Sequence, residues 1–548
     1  MHVGIAPGNR RAAKRTAWIA AAAGALVLGL AVLGIALRAF GNSDGPGRQC
    51  IAIDRPARIQ PDYQGTVVPP NLAPLNFRIE EKGRRYFVRI SADGGAPIEL
   101  SGRRPDARIP ESPWHRLLES SRGGTLRFDI YVEQEPEGVS KNRTNSWIRF
   151  KTITNTIAQE PIDDFLIYRR IQPAHSTWRQ MGIYQRDLRG FAETAVLDNG
   201  SFRGGCVNCH AFCNNRTNRM LMGIRSEVYG VSELLVEDGK VSKLGATFGY
   251  ASWHPSGRIA AFSVNKVRQV FHTATNEVRD VLDLDSLIAY YRADDGVART
   301  APPLARKDRL ETYPAWSPDG RCLYFCSAPI TWEDRNSIPK DFEQIRYDLM
   351  RISHDIDSDT WGEPETILSA GQTGKSILLP KVSPDGRWLL FTMCDYGCFP
   401  VYRADSNLYL LDLKAAQETG RYEYRRLDIN SNASESWHSF SSNGRWIAFS
   451  SKRDSHLFTR TYLAYLDEQG QVHKPILLPQ KDPRHYESCL WTFSLPEFVI
   501  EPVRPTKEAL ARVVRRRKQV PVSMPVTMAT PKADAVPAPD EPRQHAHE

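Results

Sequence analysis

Apolar and polar residues alternate over much of the chain, in the period-2 pattern typical of half-buried β-strands. The segments NFRIEEKGRRYFVRISADGG (residues 76–95) and TLRFDIYVEQE (residues 125–135) alternate in this way around turn residues. The segment RWLLFTM (residues 387–393) continues the pattern in the second half. The chain is therefore predicted to be all-β, with a β-sandwich-like domain over residues 50–170.

An unbroken apolar run occupies residues 17–37. Its 21 residues are long enough to cross a hydrocarbon core of about 30 Å as a helix. Four basic residues precede it, which by the positive-inside rule leaves residues 1–16 in the cytoplasm. We predict a single transmembrane anchor over residues 17–39 in the inner membrane, with the bulk of the chain in the periplasm.

The alternative for this run is a cleaved signal peptide. The apolar run exceeds the 7 to 15 residues usual for such a peptide. Arg38 also interrupts the small-residue pattern expected at a cleavage site. These two features favour the anchor, and the chain is exported under either interpretation.

A short repeat recurs in the second half of the chain. Its aligned glycines are 63, 66 and 58 residues apart, and each copy joins a turn to an apolar strand. Such a unit cannot bury both of its faces alone, which favours radial stacking of the copies. The four copies are ASWHPSGRIAAFSV, PAWSPDGRCLYFCS, PKVSPDGRWLLFTM and HSFSSNGRWIAFSS, with glycines Gly257, Gly320, Gly386 and Gly444.

The copies resemble the repeat of TolB-like β-propellers, and the W-S-P-D-G-R signature is matched best at Trp316–Arg321. The resemblance implies a β-propeller over residues 241–502 and says little about function. The copies are spaced more widely than the 40 to 50 residues of a minimal blade, so unmarked strands must complete the ring and the number of blades stays open. An alternative for residues 50–170 is that they supply extra blades.

A C-x-x-C-H motif lies at Cys206, Cys209 and His210, within a predicted linker over residues 171–240. In a c-type site two thiols add to the haem vinyl groups and the adjacent histidine ligates the iron. The alternatives are a local disulfide and half of a zinc site. Zinc would need a second pair at similar spacing, and the remaining close pairs are interpreted as structural: Cys322 with Cys326, and Cys394 with Cys398.

The motif resembles the attachment motif of c-type cytochromes. This resemblance implies one covalent haem c, with Cys206 and Cys209 as thioether attachment points and His210 as the proximal iron ligand. The surrounding sequence does not resemble a compact cytochrome c, so the resemblance does not supply the sixth iron ligand. The candidates are Met220, Met222 and His254, with packing or local hydrogen bonding as the alternative for each and an open sixth position as a further one.

The charge pattern argues against nucleic-acid binding. The chain has 72 Lys+Arg and 63 Asp+Glu, a net charge of +9, but its basic runs lie at the two ends. A nucleic-acid binder would instead spread basic side chains over a folded face. Residues 503–548 are predicted to form a short basic helix followed by a Pro- and Ala-rich disordered tail.

Taken together, these features predict a membrane-anchored c-type cytochrome with a β-propeller, which transfers single electrons to or from an envelope redox protein or membrane complex. One alternative is a haem-dependent periplasmic oxidoreductase acting on a small substrate. Another is a propeller interaction module with a structural haem. The sequence shows no G-x-S-x-G, H-E-x-x-H, P-loop or dinucleotide motif, and leaves open whether the protein is an enzyme.

Overall fold

The computed structural model describes residue 46 and residues 50–134, 147–172, 180–271 and 279–523. The predicted cytoplasmic segment, the predicted anchor at residues 17–39 and the tail after residue 523 lie outside these ranges. Strands predominate, which confirms the all-β prediction. Within the described ranges, no helix combines the length and the apolar character that a membrane span requires.

The N-terminal domain contains ten strands and one helix. They are β1 (Cys50–Pro56), β2 (Ile59–Gln60), β3 (Val67–Val68), β4 (Phe77–Ile79), β5 (Arg85–Ser91), β6 (Ile98–Gly102), β7 (Asp106–Ala107), α1 (Glu111–Glu119), β8 (Thr125–Glu133), β9 (Trp147–Lys151) and β10 (Ile153–Ile157).

These strands form two sheets that share one apolar core. The larger sheet has the order β1-β9-β8-β10-β3, with β5 added to β8 and β6 to β5; the smaller has the order β2-β4-β7. Phe77 and Phe128 meet edge to face at 5.8 Å beside the buried Trp114. The same cluster includes Trp446 and Leu463, so the domain packs directly on the following part of the chain.

The rest of the described chain forms 25 strands and four helices. They are β11 (Phe165–Ile171), β12 (Met181–Asp187), β13 (Glu193–Asp198), β14 (Cys206–Cys213), β15 (Arg216–Ser226), β16 (Gly230–Glu237), β17 (Lys240–Leu244), β18 (Gly249–Trp253), β19 (Ile259–Phe271), β20 (Arg279–Arg292), β21 (Val297–Arg299), β22 (Arg309–Trp316), β23 (Cys322–Pro329), β24 (Asp348–Asp355), β25 (Thr360–Trp361), β26 (Glu365–Leu368), α2 (Ala370–Thr373), β27 (Ser376–Val382), β28 (Trp388–Cys394), β29 (Asn407–Asp412), α3 (Leu413–Thr419), β30 (Tyr424–Arg426), β31 (Glu435–Phe440), β32 (Trp446–Ser451), β33 (Arg460–Tyr465), β34 (Ile476–Leu477), α4 (His485–Ser488), β35 (Thr492–Val499) and α5 (Lys507–Val514). Short 3-10 helices occupy Asn199–Phe202, Pro302–Leu304, Phe342–Gln344 and Pro400–Tyr402.

These strands form six antiparallel sheets, which are the blades of a β-propeller. Blade 1 has the order β35-β11-β12-β13; blades 2 to 6 start in turn from β14, β18, β22, β27 and β31. The six inner strands contact one another in a closed ring, in which β35 lies between β31 and β14. Because β35 comes from the far end of the chain and pairs with β11, the last strand closes the ring on the first blade.

The blades span residues 165–499, a wider range than the Pro-Asp-Gly repeat predicts. Residues 165–198 form the three outer strands of blade 1, and residues 206–244 form blade 2. Blade 1 has no inner hairpin because its inner strand is β35. Blade 2 makes its inner hairpin with Asn214 and Asn215, whose φ angles of 52° and 56° are those of a type I′ turn.

The four marked turns lie where the repeat predicts, between the first and second strands of blades 3 to 6. Their glycines have φ angles of 70° to 74°, which confirms the left-handed turn position. In blade 4 the Gly320 N–H donates to the Ser317 carbonyl at 2.9 Å, and the Asp319 carboxylate accepts the Arg321 N–H at 3.0 Å.

Candidate functional site in the propeller channel

A left-handed bulge interrupts each of the six inner strands. At each bulge the pairing register shifts, and one residue other than glycine has a φ of 45° to 55°. Such a backbone costs on the order of 1–3 kcal/mol per residue, so the surrounding structure must enforce it. The six residues are Cys209, Tyr250, Tyr313, Leu379, Trp437 and Leu495.

The residue after each bulge need not donate to the strand ladder, so proline is tolerated there. Three of the six positions are prolines and two are histidines. In chain order they are His210, Ala251, Pro314, Pro380, His438 and Pro496. The end of the C-x-x-C-H motif therefore coincides with the bulge of blade 2.

This coincidence reveals two further copies of the inner-strand pattern, which the Pro-Asp-Gly signature does not mark. The segment CHAFC (residues 209–213) in blade 2 corresponds to WHSFS (residues 437–441) in blade 6, and LPEFV (residues 495–499) in blade 1 corresponds to LPKVS (residues 379–383) in blade 5. Aligning the strands on the residue before the proline or histidine, rather than on the glycine, would have found both copies.

The bulges surround a cavity of about 220 Å³ on the propeller axis, lined by residues of all six inner strands. Cys209 and His210 line it, as do the aromatic rings of Tyr250, Tyr313 and Trp437. The Tyr250 and Tyr313 rings lie 4.5 Å apart, between their centroids. Four chargeable or hydroxyl side chains further along the strands also line the cavity: Ser252, Lys381, Ser439 and Glu497.

The His210 side chain is 1% exposed, and it points from blade 2 towards blade 1. Neither imidazole nitrogen makes a hydrogen bond of normal geometry to a described residue, although the Leu495 backbone lies close enough to act on the imidazole and to raise its pKa. The nearest carboxylate is that of Glu497, whose Oε2 lies 3.8 Å from Nε2. Burial, reinforced by the Arg169 guanidinium, lowers the pKa of His210 to about 3. The imidazole is therefore neutral at physiological pH, which is the form that ligates metals.

Arg169 fixes the motif strand against blade 1. Its Nε donates to the Ser494 hydroxyl at 3.1 Å, and its guanidinium also donates to the Asn208 side-chain carbonyl. Asn208 lies between the two motif cysteines in the sequence. Arg169 therefore ties C-V-N-C-H to the strand that closes the ring.

All nine cysteines of the chain lie in the described ranges, and the two motif cysteines, Cys206 and Cys209, are free thiols. Burial raises the pKa of Cys206 to about 11 and also raises the pKa of Cys209. Both motif thiols are therefore protonated at neutral pH. Cys209 lines the cavity beside His210, whereas Cys206 is buried further back along β14.

None of the three residues predicted as sixth ligands lines the cavity beside His210. Met220 and Met222 are fully buried in a hydrophobic cluster with residues of blade 1 and helix α5. His254 takes the place of the serine in the repeat turn of blade 3. Its Nδ1 lies 2.7 Å from the Ser256 hydroxyl and its Nε2 lies 3.1 Å from the Gly320 carbonyl.

Glu497 is a carboxyl group that the sequence pattern did not single out. Burial raises its pKa to about 7, while the nearby Lys381 acts in the opposite direction. One of its oxygens accepts the Phe212 N–H at 3.2 Å. Across the described ranges, no three His, Cys, Asp or Glu side chains are grouped to hold a metal ion.

Comparisons with known proteins find distant structural likenesses. No protein-family profile and no curated protein sequence matches the chain. Among solved structures, TolB from Acinetobacter baumannii is 12% identical, with a TM-score of 0.38 over 71% of this chain and 85% of its own. The Dos1 propeller is 11% identical, with a TM-score of 0.31 over 51% and 63%. Hydrazine synthase from Kuenenia stuttgartiensis is 14% identical, with a TM-score of 0.30 over 52% and 71%. The neighbours are thus TolB and other β-propeller proteins.

Proposed function

We propose that this protein is a membrane-anchored c-type haem protein that exchanges single electrons with a redox partner in the envelope. The observation that supports the haem is His210, a buried imidazole whose two nitrogens both lack a hydrogen bond. An unsatisfied buried polar group costs about 1–3 kcal/mol. A metal bond to one of these nitrogens would offset that cost.

The donor set fits a covalent haem. Two free thiols lie three residues apart on β14, and the adjacent imidazole is held neutral by burial. The cavity is smaller than the 300–1,000 Å³ typical of sites that enclose a drug-sized ligand, so a macrocycle attached here would extend beyond it. When bound, a haem supplies an iron that cycles between the ferric and ferrous states.

The chain's own residues have distinct roles in this proposal. Cys206 and Cys209 hold the group covalently, and His210 ligates it. Arg169 positions the motif by holding Asn208. The aromatic rings of Tyr250, Tyr313 and Trp437 exclude water from one end of the cavity.

The cavity itself favours a second candidate function, a haem-dependent oxidoreductase acting on a small molecule. The space next to His210 accommodates a molecule of a few heavy atoms, because a water molecule occupies only about 30 Å³ in the liquid. None of the residues predicted as sixth ligands lines this space. If His210 ligates the iron, a small molecule in this space would lie beside His210, and the iron would supply the redox chemistry.

The test is a visible spectrum of the full-length protein, produced with a c-type maturation system, together with a pyridine haemochrome assay and haem staining on a denaturing gel. We expect a covalent haem in the wild type and none in the Cys206→Ser, Cys209→Ser variant. Cys213→Ser is the matched control, because Cys213 is a buried thiol on the same strand outside the motif. A wild type without covalent haem, or a double variant that keeps it, would overturn the proposal.

The two candidate activities are then separated on the loaded protein. A reversible one-electron couple with a spectrum unchanged by carbon monoxide or cyanide supports electron transfer alone. A spectrum that shifts with either ligand supports the oxidoreductase. Absence of any reversible couple would contradict both and leave an interaction module with a structural haem.

A further inference from the structure

Four polar side chains of the cavity occur at equivalent positions, two residues after the bulge of their inner strand. Five of the six residues at this position line the cavity. They are Ser252, Ala315, Lys381, Ser439 and Glu497. We call these five residues the channel ring.

Lys381 is the only cation of the channel ring, and no described residue forms an ion pair or hydrogen bond with its side chain. His210, His438 and Glu497 lie on three other blades and line the same cavity. Burial has the largest effect on the pKa of each, and the charge of the Lys381 ammonium group acts to lower all three pKa values. An ammonium group facing a cavity with low-dielectric walls attracts an anion more strongly than one in open water.

Two further polar side chains of the cavity lack a hydrogen bond of normal geometry, whereas Tyr313, Asn214 and Asn215 have partners. The Ser439 hydroxyl is buried and lacks a hydrogen bond, and so do both nitrogens of His210. Glu497 differs, because one of its oxygens already accepts the Phe212 N–H. The unpaired groups beside the cavity therefore include an ammonium, a hydroxyl and an imidazole, of which the first two can donate directly to an anion.

We propose that the channel binds a small monovalent oxyanion, held by the ammonium of Lys381 and the hydroxyl of Ser439. The volume of about 220 Å³ limits the ligand to a few heavy atoms. If the oxyanion is a substrate of the haem site, the inference rests on the proposed function. Binding of the oxyanion by the channel does not itself require the haem.

The test measures binding of nitrite and of formate to the full-length protein by calorimetry and by thermal shift, in a buffer without chloride. Both probes are also added to the haem-free Cys206→Ser, Cys209→Ser variant, because nitrite binds haem iron directly. We expect saturable binding in both proteins. Loss of binding only in the haem-free variant would place the anion on the iron and overturn the role of Lys381.

The charge of Lys381 is tested by substitution in the haem-free background. Lys381→Met should weaken binding by about tenfold or more, because it removes the charged donor that would hold the anion. Lys381→Arg should retain binding and shows that the position tolerates replacement. Lys414→Met is the matched control, because Lys414 is an exposed lysine of the same blade on helix α3.

Glu497→Gln sharpens the test. This change removes the one acidic group of the channel ring, so it should tighten nitrite binding. If the channel instead bound cations, the same change would remove the carboxylate that binds the cation. Methylammonium serves as the cationic probe. Saturable methylammonium binding without nitrite binding, or equal nitrite affinity in wild type and Lys381→Met, would overturn the inference. A haem-free wild type that still binds nitrite would contradict the proposed function and leave this inference intact.

Discussion

His210 in blade 2 and His438 in blade 6 occupy the same position in the inner-strand bulge, and both point towards the preceding blade. His438 is fully engaged there. Its Nε2 lies 3.1 Å from the Leu390 carbonyl and its Nδ1 lies 3.5 Å from the Thr392 hydroxyl. His210 has the same local backbone and a comparable burial, yet neither of its nitrogens is satisfied.

The difference arises from the neighbouring blade. Thr392 pairs with Leu378, the residue before the bulge of blade 5, and Arg169 pairs with Ser494, the residue before the bulge of blade 1. A hydroxyl that faces His438 is thus replaced by a guanidinium that faces His210. The guanidinium donates to Asn208 and Ser494 and offers the imidazole no acceptor. One histidine is therefore a structural bridge, and the other is left available for a ligand.

The largest expected effect concerns haem content. His210→Ala should abolish the low-spin haem spectrum, because the proposed iron ligand is removed. His438→Ala should leave the haem spectrum unchanged. The measurement is the reduced-minus-oxidised spectrum per mole of protein. If both variants lose haem equally, the two histidines do not differ in the way proposed.

The free energy of unfolding should be affected in the opposite order, with a larger loss for His438→Ala than for His210→Ala. In the haem-free Cys206→Ser, Cys209→Ser background, His438→Ala should lower the free energy of unfolding by about 1–3 kcal/mol, because it leaves the buried Leu390 carbonyl unpaired. His210→Ala breaks no hydrogen bond and should cost less. Urea denaturation followed by circular dichroism measures both. A larger loss for His210→Ala would show that its imidazole is already satisfied in the folded protein.

The pH dependence of stability sharpens the role of His438. Burial lowers its pKa to about 3, whereas the pKa in the unfolded chain is about 6.5. Its contribution to stability is therefore complete above pH 6.5 and is lost as the pH falls towards 3, by up to about 1.4 kcal/mol per pH unit. His438→Gln should reduce the slope of unfolding free energy against pH by the amount that one proton contributes. Denaturation at several pH values measures this slope. An unchanged slope would mean that the imidazole can protonate within the fold.

The smallest expected effect concerns the bulge itself. Cys209 has a φ of 52°, which glycine adopts without strain. In a haem-free Cys206→Ser background, Cys209→Gly should change the free energy of unfolding by less than about 1 kcal/mol, because relief of strain offsets the lost thiol packing. The equivalent Trp437→Gly should cost several times more, because a large buried ring is lost. Similar losses in both variants would show that the backbone strain at Cys209 is negligible.

Local patterns were sufficient to predict much of the fold. Alternation predicts the strands, and the aligned glycines predict the four inner hairpins at Gly257, Gly320, Gly386 and Gly444. The turn is a local structure, so its residues are adjacent in the sequence. Blades 1 and 2 were missed as blades because one lacks this hairpin and the other makes it with Asn214 and Asn215.

The chemistry of the site was predicted only in part. The spacing of Cys206, Cys209 and His210 identifies the motif, since these residues are close in the chain. Glu497, Lys381 and Arg169 come from three other inner or neighbouring strands, more than 35 residues away from the motif. No local pattern marks them as partners of His210.

The strands, the repeated turns and the C-x-x-C-H motif could be predicted from the chain alone, because each depends on residues within a few positions of one another. Folding into the closed ring places the motif in a propeller bulge on the axis and brings Lys381 and Glu497 into the same cavity. It also decides which of two equivalent histidines is left without a partner. The difference between the two histidines depends on the side chain that the preceding blade places against each imidazole. For His210, ring closure by β35 brings residues nearly 300 positions away in the chain into contact with the motif strand.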